Sequence, residues 1–336
     1  MKYATIVDTI AHVFAKAPQQ AVMIWGAPGC GKSSVGLQGL PAKLGLPPEA
    51  VSMFRPSNHD PVDLTGLPMV TAESTRWITP DFLLQLNANA ERYGRALFLL
   101  DEINQSVPMM FNTLNGLLLD RMLGDFKLHP GVMMLATGNR QSDKAASNRM
   151  PSHTANRLLH LDMESDLDGW TDWALGAGLP MWLISFLRFK PALLNDFDSD
   201  RRENPTERTW DMVGRLVDDN TDLALALNIS TGLVGAGPAA EVVAFREAMA
   251  EMPNPDAVLM DPSRAPVPDK PSVRFAICGA LAARGKKDNF DSLVTYANRL
   301  PPEFGVLLVR DTFKMKPEVA STRAFIEWVS ANQGVL

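Results

Sequence analysis

Gly26-Ala27-Pro28-Gly29-Cys30-Gly31-Lys32-Ser33 satisfies the spacing GxxxxGK[ST] at every fixed position, and it follows the apolar run Ala21-Val22-Met23-Ile24-Trp25. The run reads as a buried strand and the glycines as a turn whose backbone N–H groups curl around phosphate oxygens. Lys32 is spaced to reach β- and γ-phosphates, and the Ser33 hydroxyl to ligate Mg²⁺. A helix beginning near Lys32, with Ser34 in its first turn, points its positive dipole end at the same anions. Residues 26–34 are therefore expected to hold a nucleoside triphosphate with Mg²⁺. A glycine-rich turn without a ligand is the alternative, and the agreement of strand, loop, Lys and Ser speaks against it.

A second apolar run, Ala96-Leu97-Phe98-Leu99-Leu100, ends at once in Asp101-Glu102. A buried parallel strand delivers side chains to its C-terminal edge in this way, and α/β sheets bind ligands at that edge. Asp101 would hold Mg²⁺ through water and Glu102 would polarise the water attacking the γ-phosphate. Adjacent acids also occur in turns and helix N-caps; beside a phosphate loop the catalytic reading gains weight. A third run, Val132-Met133-Met134-Leu135-Ala136, leads into Thr137-Gly138-Asn139. Asn139 could orient the attacking water, or simply follow Gly138 as a turn residue.

The chain has 336 residues, 46% of them apolar, which suffices for two domains with their own cores. No apolar run approaches the eighteen or so residues of a membrane span, and the start, Met1-Lys2-Tyr3-Ala4, leads into an amphipathic stretch carrying Asp8 and His12. A cytoplasmic location is expected. Two cysteines, Cys30 and Cys278, are too few for a disulfide framework or a cysteine metal site, and the five histidines lack ligand spacing. Cys30 reads either as a redox-sensitive position within the phosphate loop or as a small residue that fits the turn. A formal net charge of −6 disfavours a broad nucleic-acid surface.

After Asp162 the pattern shifts to helical spacing. Asp168 to Leu175 and Pro180 to Phe189 read as amphipathic helices, and Thr206 reads as the N-cap of another opened by Pro205-Thr206-Glu207-Arg208-Thr209-Trp210. Trp170, Trp173, Trp182 and Trp210 belong either to a core or to a partner surface. Pro253, Pro255, Pro262, Pro266, Pro268 and Pro271 cannot continue a helix and mark a linker or strap. Beyond them, Phe275, Cys278 and Leu281 share a helical face, as do Phe325 and Val329.

Together these elements resemble the AAA+ ATPases, with Asn139 in the position of the first sensor, and are most similar to the MoxR branch. The branch's segment after the second strand has its counterpart in His59-Asp60-Pro61-Val62-Asp63-Leu64-Thr65-Gly66, and Leu67 to Asp81 looks like the insertion before the second helix. Asp101-Glu102-Ile103-Asn104 is followed by Leu118-Leu119-Asp120-Arg121-Met122-Leu123-Gly124-Asp125, similar to the family's helix and pre-sensor hairpin. Ala136-Thr137-Gly138-Asn139-Arg140 departs from the family in its last residue, usually Pro, which leaves the conformation of that loop open. Met150-Pro151-Ser152-His153-Thr154-Ala155-Asn156-Arg157-Leu158 makes Arg157 the arginine-finger candidate, with Arg149 and Arg140 as rivals. Arg208 is the second-sensor candidate, with Glu207 where the family usually has Pro, and Arg274 is its rival.

The resemblance implies a three-layer P-loop NTPase domain with a parallel sheet of order 5-1-4-3-2 over residues 1–162. An all-helical lid over 163–251 follows, then a proline-rich linker and helical C-terminal extension over 252–336. It further implies a Mg²⁺-dependent ATPase working as a homo-oligomeric, usually hexameric, ring. Such a ring acts as a chaperone-like remodeller of a protein client, beside a partner with a von Willebrand factor A domain. A DNA-directed motor is the second reading, disfavoured by the acidic balance. A nucleotide-gated assembly module with negligible turnover is the third, opposed by the intact Asp101, Glu102 and Asn139.

Overall fold

A computed structural model describes residues 1–70, 72–140, 148 and 150–332. The chain divides into two compact units: Met1–Asp166 with Phe197–Asp200, and Leu167–Asp196 with Arg201–Leu336.

The first unit is α/β. Its strands are β1 (Val22–Trp25), β2 (Val51–Phe54), β3 (Leu67–Val70), β4 (Thr75–Ile78), β5 (Ala96–Leu100), β6 (Met122–Leu123), β7 (Phe126–Lys127), β8 (Val132–Gly138) and β9 (Leu159–Asp162). Five of them form a wholly parallel sheet of order β2-β5-β8-β1-β9. Numbered within that sheet alone and taken from the β9 edge, the order is 5-1-4-3-2, as the resemblance implies.

The apolar runs are continuous because the central strands are buried on both faces. Successive side chains alternate between two cores: Phe98, Leu100, Met134 and Met23 face one, and Leu97, Leu99, Met133, Val22 and Ile24 the other. Against the first pack Leu83, Leu86 and Ala90 of the helix Asp81–Tyr93, with Met110, Phe111 and Leu114 of the helix Pro108–Asn115. Against the second packs the helix Tyr3–Lys16 through Ile6, Ile10 and Phe14, an i, i+4 stripe. The sheet is thus the middle of three layers.

Two antiparallel ribbons interrupt this plan. The first, β3 with β4, fills the stretch from Leu67 to Asp81, and all eight of its strand residues are exposed. It is preceded by the short helix Pro61–Thr65, whose N-cap Asp60 exchanges hydrogen bonds with Asp63 in a capping box. Gly66 ends that helix at φ +85°, and a Cβ there would lie 1.9 Å from the Ile78 carbonyl oxygen, so only glycine lets the ribbon close. The second ribbon, β6 with β7, stands where the pre-sensor hairpin is expected.

The second unit is helical, with no strand among its described residues. The helices Leu167–Gly176 and Met181–Phe189 occupy the two stretches read as amphipathic. Thr206 caps the helix Glu207–Leu216: its hydroxyl accepts from the Thr209 N–H at 3.2 Å. Trp170, Trp182 and Trp210 fill a core with Phe186 and Val213, whereas Trp173 is exposed. A second core is built on Ile277, Cys278, Leu281, Phe290, Tyr296 and Phe304, and Met252 and Phe275 pack against both cores. The proline-rich stretch enters this packing: Pro255 opens the helix Pro255–Met260, Pro271 opens Pro271–Arg284, and Val258 and Ala265 are buried. Among the described residues no helix is long and apolar enough to cross a membrane.

Candidate active site

Sheet register brings the polar residues together. Leu100 pairs with Ala136 and Trp25 with Gly138, so Asp101 arrives beside Thr137 and the phosphate loop beside Asn139. The ladder runs one residue further on each side, from the Asp101 N–H to the Phe54 oxygen at 2.9 Å and from the Gly26 N–H to the Gly138 oxygen at 3.3 Å.

The loop turns through left-handed Gly29 (φ +79°) and Gly31 (φ +92°). Lys32 then opens a helical segment over 32–44, made of Lys32–Ser34, a π-helical stretch Val35–Gly39, and Leu40–Leu44. Lys32 is buried, 7% exposed, and its ammonium donates to the Gly26 oxygen (2.8 Å), the Ala27 oxygen (2.7 Å) and Asn139 Oδ1 (2.9 Å). Cys30 is buried in the core beneath the loop, and its sulfur is the atom nearest to where a Gly26 Cβ would stand. Pro28 and Ser34 complete the turn, the Ser34 hydroxyl donating to the Gly31 oxygen at 2.6 Å.

Asp101 lies at the centre with a side chain 2% exposed. Its Oδ1 accepts from Ser33 Oγ (2.6 Å) and Thr137 Oγ1 (2.7 Å), and its Oδ2 accepts from Arg55 Nε (3.1 Å). A serine hydroxyl and a buried carboxylate in contact form a hard oxygen donor set that suits Mg²⁺. Glu102 follows in the left-handed region (φ 55°, ψ 39°), a conformation that costs a residue with a Cβ about 1 kcal/mol or more. Its N–H donates to Thr137 Oγ1 at 3.0 Å, while its carboxylate has no hydrogen-bond partner among the described residues.

Asn139 is held by Asn104, which is fully buried. Asn104 Nδ2 donates to the Asn139 oxygen at 2.7 Å, and the Asn139 N–H donates back to Asn104 Oδ1 at 3.2 Å. The amide stands in for a neighbouring strand just where β8 ends.

The arginine candidates separate. Arg140 is tied within its own unit, Nε to Asp162 Oδ1 at 3.2 Å and Nη2 to the Met163 oxygen at 2.6 Å, so its guanidinium closes the end of β9. Arg157 is exposed beyond the short helix Ser152–Ala155, whose Thr154 and His153 bond Asn115. Arg149 lies outside the described residues. In the helical unit Arg208 is exposed in the first turn of its helix, whereas Arg274 donates to the Pro268 oxygen at 2.6 Å and lies over the Phe304 ring.

No sequence motif marks Arg55, Asn104 or Thr137 for these contacts. The signal for Arg55 was its place directly after β2, which is informative only once β2 is known to border β5.

No family model matches this sequence, and no curated protein matches it either. Among solved structures, it aligns with a "putative ATPase" from Cytophaga hutchinsonii at 12% identity, covering 92% of this chain and 79% of that one, with a TM-score of 0.31. So loose a superposition carries no conclusion about activity.

Proposed function

We propose that this chain is a Mg²⁺-dependent AAA+ ATPase of the MoxR type. The observation that carries this reading is that the phosphate loop after one strand bonds the residues at two other strand ends, Lys32 to Asn139 and Ser33 to Asp101. The strand order and the ribbon of β3 with β4, between the helices Pro61–Thr65 and Asp81–Tyr93, further support it.

In this mechanism the backbone N–H groups of residues 26–34 and the Lys32 ammonium bind the phosphates of ATP. Because Lys32 already donates to three acceptors, phosphate binding must replace at least one of them, and Asn139 Oδ1 is the side-chain partner free to move away. Released, the Asn139 carboxamide orients the attacking water, and Glu102 takes its proton. Ser33 and Asp101 would hold Mg²⁺, which when bound neutralises charge developing on the phosphate oxygens. Arg157 would complete the site of a neighbouring subunit in an oligomeric ring, and Arg208 would serve as the second sensor; the internal ties of Arg140 and Arg274 favour Arg157 over Arg140 and Arg208 over Arg274. The work done by the ring would be remodelling of a protein client beside a von Willebrand factor A domain partner.

The test is phosphate release from ATP with Mg²⁺. The wild-type chain should turn over and Lys32→Ala should not; a wild-type chain that neither binds nor cleaves ATP refutes the proposal. Mixing Arg157→Ala with Lys32→Ala subunits should restore part of the activity, since each supplies what the other lacks. Strong stimulation by single-stranded DNA would redirect the reading to a DNA motor.

A further inference from the structure

The central carboxylate has a cation already. Asp101 is nearly inaccessible to water, and its two oxygens are divided: Oδ1 takes the hydroxyls of Ser33 and Thr137, and Oδ2 takes Arg55 Nε at 3.1 Å. A buried carboxylate without a counter-charge is strongly unfavourable, so some cation is required there whenever no metal is bound. Arg55 supplies it from an unusual position. It is the first residue after β2, and β2 is the edge strand next to β5, so its backbone is fixed in register beside Asp101. Its side chain is 46% exposed, and the contact uses one nitrogen instead of the two-pronged geometry that guanidinium prefers with carboxylates. The guanidinium therefore has an open route to water, while Asp101 has none.

We propose that Arg55 is a built-in competitor of the divalent cation at Asp101, a resident counter-ion that leaves when metal binds and returns when it departs. The inference rests on the reading of Ser33 and Asp101 as metal-holding groups. Its consequence is a threshold: Arg55 keeps the site intact without metal and lowers its affinity for metal alone, so loading depends on phosphates arriving with the cation. At a separation of a few ångströms and partial exposure, removing one positive charge should tighten divalent-cation binding on the order of tenfold.

Mn²⁺ serves as the probe: electron paramagnetic resonance on the full chain without nucleotide reads the free ion, and the bound fraction follows by difference. Arg55→Gln should bind Mn²⁺ about tenfold more tightly than wild type, Arg55→Lys should stay near wild type because it keeps the charge, and Asp101→Asn should abolish the gain in the Arg55→Gln background. Circular dichroism melts establish that each variant is folded, and Arg55→Leu provides a second neutral variant should Arg55→Gln not fold. Unchanged or weaker Mn²⁺ binding in the folded neutral variants overturns the proposal and assigns Arg55 to holding Asp101 in place. A parallel titration with a fluorescent ATP analogue separates the two claims. Loss of nucleotide binding alone would sink the ATPase reading, with the Mn²⁺ result still deciding Arg55.

Discussion

Asp101 and Asp311 are both carboxylates cut off from water, and each faces an arginine, yet the two pairs are built differently. In the helical unit Asp311 is fully buried and receives both terminal nitrogens of Arg188, one of them at 2.9 Å; Arg188 is itself only 8% exposed. The pair joins the helix Met181–Phe189 to the helix Pro302–Met315, where Arg310 Nε stands a further 3.9 Å from Asp311 Oδ1. At the sheet edge Asp101 receives a single nitrogen from an arginine half in water, and its other oxygen faces two hydroxyls. A bidentate, buried pair has no exchange route and holds helices together. A one-pronged pair with an exposed cation can trade its partner for a ligand, which is the property a working site needs.

The largest expected effect lies on the exchangeable side. If Glu102 is the general base of the proposed mechanism, Glu102→Gln should lower the ATP turnover number by about 10²–10⁴ while leaving ATP binding near wild type, because such a loss affects the transition state and not the ground state. Turnover near wild type in a variant that binds ATP would remove Glu102 from the mechanism.

Next, matched substitutions set the two pairs against each other. Asp311→Asn strands the buried Arg188 charge and should cost about 3–5 kcal/mol in urea unfolding. Asp101→Asn keeps the one oxygen that accepts from Ser33 and Thr137 and leaves Arg55 in contact with water, so its cost should be smaller, about 1–2 kcal/mol. Equal costs would erase the distinction between a sealed pair and an exchangeable one.

The same contrast explains what could be read from the sequence. Strands β1, β5 and β8 were legible because each is an apolar run buried on two faces, and the residues following them, Lys32, Asp101, Glu102 and Asn139, were legible as the products of strand ends. Arg55, Thr137 and Asn104 were not, because their roles depend on which strands are neighbours, and a single chain does not print its strand order. Arg140 stood out as a departure from the usual proline, but its purpose, closing the end of β9 through Asp162 and the Met163 oxygen, is a tertiary contact. In the helical unit the N-cap at Thr206 is local chemistry and was visible. The Arg188–Asp311 pair spans 123 residues of sequence and was not.

A smaller effect is expected at the clamp on Asn139. Asn104→Ala leaves the Asn139 N–H and carbonyl without their buried partners and should cost about 1–3 kcal/mol of stability. Under the proposed mechanism turnover should fall more than ATP affinity, since Asn139 would orient water and not bind phosphate. An equal loss in both, read from kcat and from nucleotide titration, would make Asn104 a purely structural residue.

The smallest effect reports on how well the helical pair is sealed. Burial pushes the Cys278 thiol well above its ordinary range, the Asp311 charge adds to the rise, and Arg188 opposes it. A raised folded value means that the folded chain keeps the thiol proton after the unfolded chain has released it at about pH 8.5. This contribution is complete below that pH and declines as pH rises, by at most about 1.4 kcal/mol per pH unit. Between pH 8.5 and 9.5 the wild-type unfolding free energy should therefore fall more steeply than that of Cys278→Ala, measured by urea titration at each pH. Tyr296, pushed up to about 12 chiefly by burial, begins to contribute only above pH 10 and does not confuse this window. Identical slopes would mean that water reaches Cys278 in the native state, and with it the neighbourhood of Asp311. The sealed pair would then be open to exchange as well, and the contrast with Asp101 would have to rest on geometry alone.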